Sequence, residues 1–521
     1  MADNELNPVI GIDLGTTFSA IARWHETRRE PRHYQHSRSG DTLQSVVYCD
    51  PNTSEILVGK LAYGKGLVDP ENVIIGVKRH MDDAEQMISL GGSDFSPIDL
   101  SARILRELYQ DVAKQFGDGT RFKSRGTVVT VPYYFKAHQC EHTRKAADIA
   151  DINCVGIIQE PIAASLAYAW QLVQDRPDEE IQENILVFDL GGGTFDLTLF
   201  RLQQTPDKLV FEVLATGGDD RLGGMDFDES LYKLILNKSD INLTGLSEIE
   251  ERKARRKVME QAIEAKITLS SAHDTYVTVP DVIPGKHIDI QITRKEFEES
   301  IQTYIKKIDG IIQKLWAISN LRPSDVNRVI LVGGSSRIPC MRSLVCELIG
   351  EDRVFGNINP SLCVAEGAAM YAAYLDDKEI FGREIVVKTR TCHALGLETT
   401  GGRFYELIGA NQPTPWAQRQ LFTNDSNDMV SFDINIYQGS ASLVKDNTLI
   451  GTVNINDLPL RKAEELEIWV TFKVDTEQNL SVIAEVDGQP LGFFFSLCLM
   501  SIDNPHTSIQ ADKINTYESA R

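Results

Sequence analysis

The sequence predicts a layered α/β protein of two half-domains with the same plan, followed by a small antiparallel β-sandwich. Two observations lead to this prediction. A strand that ends at an aspartate and enters a glycine-threonine turn occurs near the N-terminus and again in the middle of the chain. After about residue 375, strands that alternate with long helices give way to short segments with a hydrophobic period of two. The 521 residues are enough for two or three cores.

Composition and charge indicate which partners the protein is not expected to bind. Hydrophobic residues make up 42% and charged residues 25% of the chain, as in ordinary soluble proteins. The 75 acidic residues outnumber the 53 basic ones and give a formal charge of −22. Because this charge repels phosphate backbones and anionic membranes, nucleic acid is not expected as a partner.

The cysteines and the ends of the chain indicate a compartment. Eight scattered cysteines form no C-x-x-C pair and are expected to be reduced and buried. Residues 1–7 are polar and acidic, unlike a secretory signal, so we expect a cytoplasmic location. The apolar segment 491–502 is shorter than the ~20 residues of a spanning helix. We expect a buried strand there, or a segment covered by a partner.

Two long amphipathic helices are predicted in the α/β region, residues 1–376. One follows Pro97, and another begins at Thr293, where Thr-Arg-Lys-Glu is a capping box. Each has one apolar face: Leu100, Ile104, Leu108, Val112 and Phe116 in the first, and Phe297, Ile301, Ile305, Ile308, Ile312 and Leu315 in the second. Both are predicted to be core helices.

The remaining chain divides into three parts. Residues 377–390 are charged around a short apolar run, Ile385-Val386-Val387, and are predicted to be an interdomain linker. Residues 391–490 contain segments with strict alternation, such as Ile468 to Val474, and form the predicted sandwich. Residues 491–521 are predicted to be a short apolar and polar tail.

The internal repeat carries the chemistry. Val9-Ile-Gly-Ile-Asp13-Leu-Gly15-Thr16-Thr17 returns as Leu186-Val-Phe-Asp189-Leu-Gly191-Gly192-Gly193-Thr194. Glycine lets successive backbone N–H groups face a phosphate, and the threonine hydroxyls add hydrogen bonds. An aspartate at each strand end can hold a hydrated Mg²⁺ between the halves. The repeat therefore predicts a nucleotide in a shared crevice.

Further glycine turns fit the same crevice. They are Leu222-Gly223-Gly224-Met225-Asp226 and Gly333-Gly334-Ser335-Ser336-Arg337, the second after a buried strand and suited to the nucleoside side of a nucleotide. Gly59 to Lys65 resembles a P-loop, but Gly66 replaces the Ser/Thr that binds magnesium, and we see no helix pattern beginning there. The P-loop interpretation is therefore rejected.

These motifs together resemble the seventy-kilodalton heat-shock (Hsp70) chaperone family, densely over about residues 8–375 and loosely over 384–488. The matching segments are Gly11 to Ser19, Val77-Lys78-Arg79, Val131 to Phe135, Glu160 to Tyr168, Asp189 to Asp196, Phe211 to Thr216, Leu222 to Asp228 and Val332 to Pro339. The resemblance implies a two-lobed actin-like (ribonuclease H-like) ATPase domain with ATP/ADP and Mg²⁺ as cofactors.

The resemblance also implies roles for single residues. Lys78 would reach the transferred phosphate and position the attacking water, with Glu160 and Thr194 beside it. Asp13, Asp189 and Asp196 would hold magnesium through water. The nucleotide-binding positions would be Gly15, Thr16, Thr17, Gly191, Gly192, Gly193, Gly223, Gly224, Lys266, Ser270, Gly333, Gly334, Ser335 and Arg337. Phosphoryl transfer needs positioning and charge neutralisation more than covalent help, which suits this set.

Three departures from the family pattern bear on coupling and affinity. Cys140 stands where the family has an arginine that relays nucleotide state, and Ile263 stands where it has a glutamate that contacts the ribose. The linker keeps its apolar centre but not its usual leucines and following aspartate. We therefore expect altered coupling and weaker nucleotide binding.

In the sandwich, the resemblance implies a site for extended hydrophobic polypeptides. The contacts would be Leu397, Thr399, Thr400, Phe432 and Ile434. Phe432 stands where smaller aliphatic residues are usual and would narrow the pocket. Since only about thirty residues follow Gly488, we expect a short form without the helical lid, and fast peptide exchange. A J-domain co-chaperone and a nucleotide exchange factor are the further expected partners.

Three functions are compared. The first is an ATP-hydrolysing chaperone. The second is an ATP-binding regulatory or assembly factor with little turnover, which Cys140, Ile263 and the missing lid permit. The third is an actin-fold small-molecule kinase, which has no use for a C-terminal sandwich.

Overall fold

The computed structural model describes residues 7–83, 85–116, 122–176, 179–355, 359–475, 478–490 and 495–498. It divides into two compact units, Met1–Phe135 with Glu141–Val387, and Lys136–Cys140 with Lys388–Arg521. The division after Val387 falls inside the predicted linker.

Ten α-helices lie in the described ranges. They are α1 (Lys60–Val68), α2 (Pro97–Gln115), α3 (Ala137–Ile149), α4 (Glu160–Asp175), α5 (Gly224–Ser239), α6 (Glu248–Leu269), α7 (Arg294–Ser300), α8 (Gln302–Ser319), α9 (Pro339–Ile349) and α10 (Cys363–Asp376).

The strands of the first unit are β1 (Val9–Asp13), β2 (Phe18–His25), β3 (Glu30–His33), β4 (Leu43–Gln44), β5 (Val46–Cys49), β6 (Ile56–Val58), β7 (Val73–Ile75), β8 (Ile88–Leu90), β9 (Ser93–Phe95), β10 (Gly126–Val131), β11 (Cys154–Gln159), β12 (Ile181–Leu190), β13 (Phe195–Gln204), β14 (Lys208–Asp219), β15 (Asp274–Ile283), β16 (Lys286–Thr293), β17 (Arg328–Val332), β18 (Val354–Phe355) and β19 (Glu384–Lys388).

The two large sheets of the first unit repeat one strand order. The first sheet runs β11-β10-β1-β2-β3, and the second runs β18-β17-β12-β13-β14-β19. In the first sheet, β1 is antiparallel to β2 and parallel to β10. In the second, β12 is antiparallel to β13 and parallel to β17. The repeated order agrees with the two similar half-domains predicted from the sequence.

Close packing at glycine fixes the central strand of the first sheet. A Cβ at Gly11 would lie 2.1 Å from the backbone nitrogen of Ala369, so β1 lies directly on α10. The helix presents small side chains there, including Ala365 and Ala369, both fully buried. The strand that ends at Asp13 therefore has little freedom to shift.

The two predicted amphipathic helices are present, with one correction. Ser96 caps α2 with a capping box to Asp99, and Leu100 to Val112 form its buried face. Thr293 also caps a helix, but the predicted single helix is broken at Ile301 into α7 and α8. Ile301 is nonetheless completely buried, so the apolar face continues across the break.

The rejected P-loop segment also needs a correction. A helix does begin there, since α1 covers Lys60 to Val68. Its two internal glycines hide the helical pattern in the sequence, and Gly66 is needed because a Cβ would lie 2.7 Å from Val73 Cγ1. Because Gly64 and Lys65 lie inside this helix, the segment has no loop that could surround a phosphate.

The second unit contains two sheets. Its strands are β20 (Leu395–Thr399), β21 (Arg403–Ile408), β22 (Trp416–Phe422), β23 (Phe432–Gln438), β24 (Thr448–Ile455), β25 (Ile468–Val474), β26 (Asn479–Val486), β27 (Gln489–Pro490) and β28 (Phe495–Cys498). The sheet orders are β21-β20-β23-β24 and β22-β25-β26-β27, and β28 pairs with β26. Alternate residues of β25 are buried in a shared core, as the period of two predicts. Apart from residues 495–498, the predicted tail 491–521 lies outside the described residues.

Candidate functional site

The two repeated turns face each other in the first unit. Asp13 ends β1, and Asp189 is the penultimate residue of β12. A Cβ at Gly192 would lie 1.8 Å from Thr17 Oγ1, and one at Gly193 would lie 2.6 Å from Thr16 Oγ1. The glycines of the second turn therefore permit direct contact with the threonines of the first.

Two carbonyl groups of the second turn accept hydrogen bonds from other segments of the second half-domain. Gly191 O accepts hydrogen bonds from Gly224 N at 3.0 Å and from Ser335 Oγ at 2.9 Å. Gly192 O accepts one from Met225 N at 2.8 Å. Since C=O and N–H point in opposite directions across a trans peptide, the following amide N–H groups are directed away from these contacts. Such a row of N–H groups is suited to an anion.

A buried cluster of charges lies beside the turns. Lys78 Nζ is 2.5 Å from Glu160 Oε1, and the two side chains are only 5% and 11% exposed. Asp189 and Asp196 are also buried. Lys78 lies 5.5 Å from the centre of the Phe135 ring. One lysine therefore faces several carboxylates in a site that excludes most water.

Burial and mutual repulsion raise the pKa values of the three aspartates. Asp13 keeps some exposed surface but is surrounded by protein atoms. Desolvation, followed by the charge of Glu160, raises its pKa to about 7. The same two causes raise the pKa of Asp196 to about 8. The pKa of Asp189 is raised well above its ordinary value, first by burial and then by Glu160. Lys78 acts against these shifts in all three cases.

The aspartates fit a hydrated cation. Asp196 Oδ2 is buried and has no hydrogen-bond partner among the described residues, and the same holds for Thr17 Oγ1. A cation near Asp13, Asp189 and Asp196 would relieve the repulsion that raises their pKa values. Within the described ranges, no three His, Cys, Asp or Glu side chains are grouped closely enough to coordinate a metal directly. Mg²⁺ usually retains several of its waters, so carboxylates in this arrangement suit contacts through water.

The residues predicted for the nucleoside side contact neighbouring groups of the second half-domain. Lys266 Nζ is 2.7 Å from Asp228 Oδ1 and donates to Gly224 O at 3.1 Å. A Cβ at Gly223 would lie 2.7 Å from the backbone of Gly192, and one at Gly333 would lie 2.4 Å from Leu190 O. The three glycine turns of the second half-domain are thus in contact with one another.

Four other predicted residues lie at the edges of these turns or contact their own segment. Gly15 N donates to Ser19 Oγ at 3.2 Å, and Ser270 Oγ donates to Lys266 O of its own helix at 3.1 Å. Gly334 and Arg337 are exposed, and Arg337 Nη2 lies 3.4 Å from Asn359 Oδ1. Ile263 is half-buried on α6, three residues before Lys266.

Thr130 is a site residue that the sequence analysis missed. It is completely buried at the end of β10, and its Oγ1 donates to Asp13 Oδ1 at 2.9 Å. The only signal is one of two threonine hydroxyls in an otherwise apolar strand, just before Val131-Pro132. Its partner is more than a hundred residues away, so spacing alone could not reveal the pair.

The five residues predicted to contact peptide lie on β20, β23 and the turn after β20. Leu397 and Ile434 are buried in the core of the sandwich, and Phe432 is half-buried against it. Thr399 closes the hairpin by donating to Arg403 O at 3.3 Å, and Thr400 is exposed. The backbone thus places four of the five in neighbouring strands of one sheet and Thr400 in the adjoining turn.

Comparison with known proteins decides the family. The profile of the family described as Hsp70 protein matches residues 9–89 and 82–490. The chaperone protein DnaK of Halobacterium salinarum strain R1 is 34% identical over 484 residues, which cover 92% of this chain and 73% of the relative. DnaK of strain NRC-1 matches with the same values.

The chain belongs to the Hsp70 family. This membership makes it an Hsp70-type chaperone with ATPase activity, and it implies the two-lobed actin-like ATPase domain with a β-sandwich. Proteins of this family bind ATP or ADP with Mg²⁺. In the described ranges, no helix is long and apolar enough to cross a membrane.

Proposed function

We propose that this Hsp70 chain binds MgATP between the Asp13 and Asp189 turns and hydrolyses it with Lys78 and Glu160 as the catalytic pair. The observation that carries the proposal is the buried ion pair Lys78–Glu160, which lies in one charge cluster with three aspartates of raised pKa. Such a site has a positive group for a phosphate and carboxylates for a hydrated cation.

The roles follow from the charges. Mg²⁺, when bound, would neutralise phosphate charge, and Asp13, Asp189 and Asp196 would hold it through water. The Lys78 ammonium would contact the transferred phosphate. Glu160 fixes the ammonium at 2.5 Å and would orient the attacking water. The N–H groups after Gly191 and Gly192 would contact the phosphate chain.

The sandwich would bind the substrate of the chaperone. We infer that extended hydrophobic polypeptides contact the sheet around Thr399 and Phe432, where main-chain hydrogen bonds and one side-chain pocket can act together. A J-domain protein and a nucleotide exchange factor would be the partners that regulate the cycle. Relatives named DnaK chaperones support this reading.

Steady-state ATP hydrolysis with and without an unfolded polypeptide tests the proposal. We expect slow basal hydrolysis that the polypeptide stimulates several-fold. ATP binding without hydrolysis in either condition would instead favour the regulatory factor with little turnover, for which Ile263 is the supporting observation because an aliphatic side chain cannot hydrogen-bond a ribose. Phosphate transfer to a small molecule in place of water would contradict both.

A further inference from the structure

The peptide after Gly193 is held differently from its two neighbours. Gly191 O and Gly192 O are bound by groups of the second half-domain, but Gly193 O is bound from the first. Arg79 donates to Gly193 O from Nε at 3.1 Å and from Nη2 at 2.8 Å. The orientation of this peptide, and thus of the Thr194 N–H on its other side, depends on a residue across the crevice.

The same guanidinium has a second contact in the second half-domain. Arg79 Nη2 is 2.7 Å from Asp226 Oδ2, and this oxygen also accepts the Gly223 N–H at 2.7 Å. Asp226 lies in the first turn of α5. Arg79 therefore joins the glycine turn to the start of a rigid helix, using the planar fork that lysine lacks.

On the first half-domain, Arg79 is rigidly linked to Lys78. Both belong to the single helical turn Val77–His80, and Arg79 N donates to Gly76 O at 3.0 Å. Gly76 itself has a left-handed conformation with φ of 73°. A displacement of the Arg79 guanidinium from its two acceptors would thus be transmitted through one short turn to the Lys78 ammonium.

We infer that Arg79 is a positioning residue for hydrolysis, which sets the distance between Lys78 and the Gly191–Thr194 turn by holding Gly193 O and Asp226 together. It does not need to touch the nucleotide. The inference rests on the proposed function, because it assumes that Lys78 and this turn act on one phosphate. The Asp226 side chain is 21% exposed, so removal of Arg79 does not leave a fully buried unpaired charge.

The test is single-turnover ATP hydrolysis and ATP affinity of Arg79→Ala and Arg79→Lys. We expect the rate constant to fall at least tenfold in Arg79→Ala, with a change in Kd for ATP of less than about threefold. Arg79→Lys should be intermediate, since one ammonium cannot reproduce the fork. The control is Arg255→Ala, which loses an ion pair with Glu229 and a stacking contact with Tyr232 away from the turns.

The rates of the Arg79, Arg255 and Lys78 variants separate the inference about Arg79 from the proposed function. A wild-type rate in both Arg79 variants overturns the inference, as does an equal loss of rate in Arg255→Ala. Thermal unfolding midpoints within a few degrees of the wild type show that the variants are folded, and Arg79→Lys provides a second variant if Arg79→Ala is not. Lys78→Ala is measured in parallel: if it hydrolyses ATP normally, the proposed function fails, whereas slow Lys78→Ala with normal Arg79 variants removes only the present inference.

Discussion

Lys78 and Glu160 form a buried ion pair, with Nζ 2.5 Å from Oε1, and both groups interact electrostatically with Asp13, Asp189 and Asp196. A buried pair of this kind costs desolvation energy that hydrophobic residues would not. The position of this pair is explained by charge, since the Lys78 ammonium offsets the electrostatic repulsion among the carboxyls of Asp13, Asp189 and Asp196. The carboxyls therefore repel one another, and Lys78 offsets only part of this repulsion.

This repulsion predicts how stability changes with pH. Between the ordinary aspartate pKa of 3.8 and the raised values, about 7 for Asp13 and about 8 for Asp196, the folded chain holds protons that the unfolded chain has released. The stabilising contribution of these protonated carboxyls is therefore complete at the low end of this window and is lost as the pH rises through it. Within this window, each such carboxyl lowers the free energy of unfolding by about 1.4 kcal/mol for each unit of rising pH.

Denaturant unfolding without nucleotide or Mg²⁺ measures this effect. The free energy of unfolding of the wild type, relative to that of Asp196→Asn, should decrease between about pH 5 and pH 8. Added Mg²⁺ should reduce the decrease. A difference that is constant or that grows with pH would show that Asp196 is ionised normally in the folded chain.

Neighbouring glycines provide a matched test of the turn geometry. Gly333 has φ of 78°, and a Cβ there would lie 2.4 Å from Leu190 O, whereas a Cβ at Gly334 meets nothing within 4 Å. We expect Gly333→Ala to lower the free energy of unfolding by more than about 1 kcal/mol, because backbone strain and a backbone clash add. Gly334→Ala should change it by less than about 0.5 kcal/mol. Equal effects in denaturant unfolding would contradict the turn conformation.

An aromatic cluster predicts the behaviour of the segment before β19. Phe381 lies 5.1 Å from Trp24 and 5.4 Å from Trp170 between ring centres, in edge-to-face geometry. Further along, Glu384 N donates to Asp207 O at 2.9 Å, and its side chain pairs with Lys208. Phe381→Ala should therefore change tryptophan fluorescence and increase proteolysis in residues 377–388, because the anchor of the segment is lost.

The matched variant for this segment is Lys208→Ala, which removes only an exposed ion pair. It should change proteolysis much less than Phe381→Ala, since exposed pairs contribute about 0–1 kcal/mol. Equal cleavage of Phe381→Ala and the wild type would mean that the ring cluster does not hold the segment.

The half-buried Phe432 predicts a change in peptide affinity. Its ring packs against the core of the sandwich at the start of β23, where it occupies space that a smaller side chain would leave open. Phe432→Val should bind a labelled, leucine-containing extended peptide at least threefold more tightly in a fluorescence anisotropy titration. Leu460→Ala, at a position that is 63% exposed, is the control and should not change the affinity. Weaker binding by Phe432→Val would place the ring among the favourable contacts.

The elements that the sequence predicted best are those with local signals. The helix after Pro97, the capping box at Thr293 and the period of two in β25 depend on neighbouring residues, and each is present. The internal repeat predicted the opposition of the two turns, because two copies of one strand order bring equivalent strand ends together.

The elements that were missed depend on distant partners. The break at Ile301 leaves the apolar face uninterrupted, so periodicity could not show it. The helix α1 is hidden by Gly64 and Gly66, and the need for Gly66 becomes clear only beside Val73. Pairing of β19 with the edge of the second sheet and the bond from Thr130 to Asp13 join residues far apart in the chain.

Single-turnover hydrolysis of ATP by the wild type and by Lys78→Ala tests the central assignment most directly. The control is Lys238→Ala, which loses an ion pair with Glu296 outside the turns. We expect Lys78→Ala to bind ATP but to hydrolyse it at least tenfold more slowly, because the phosphate loses its positive partner. Equal rate constants for Lys78→Ala and the wild type would contradict the account.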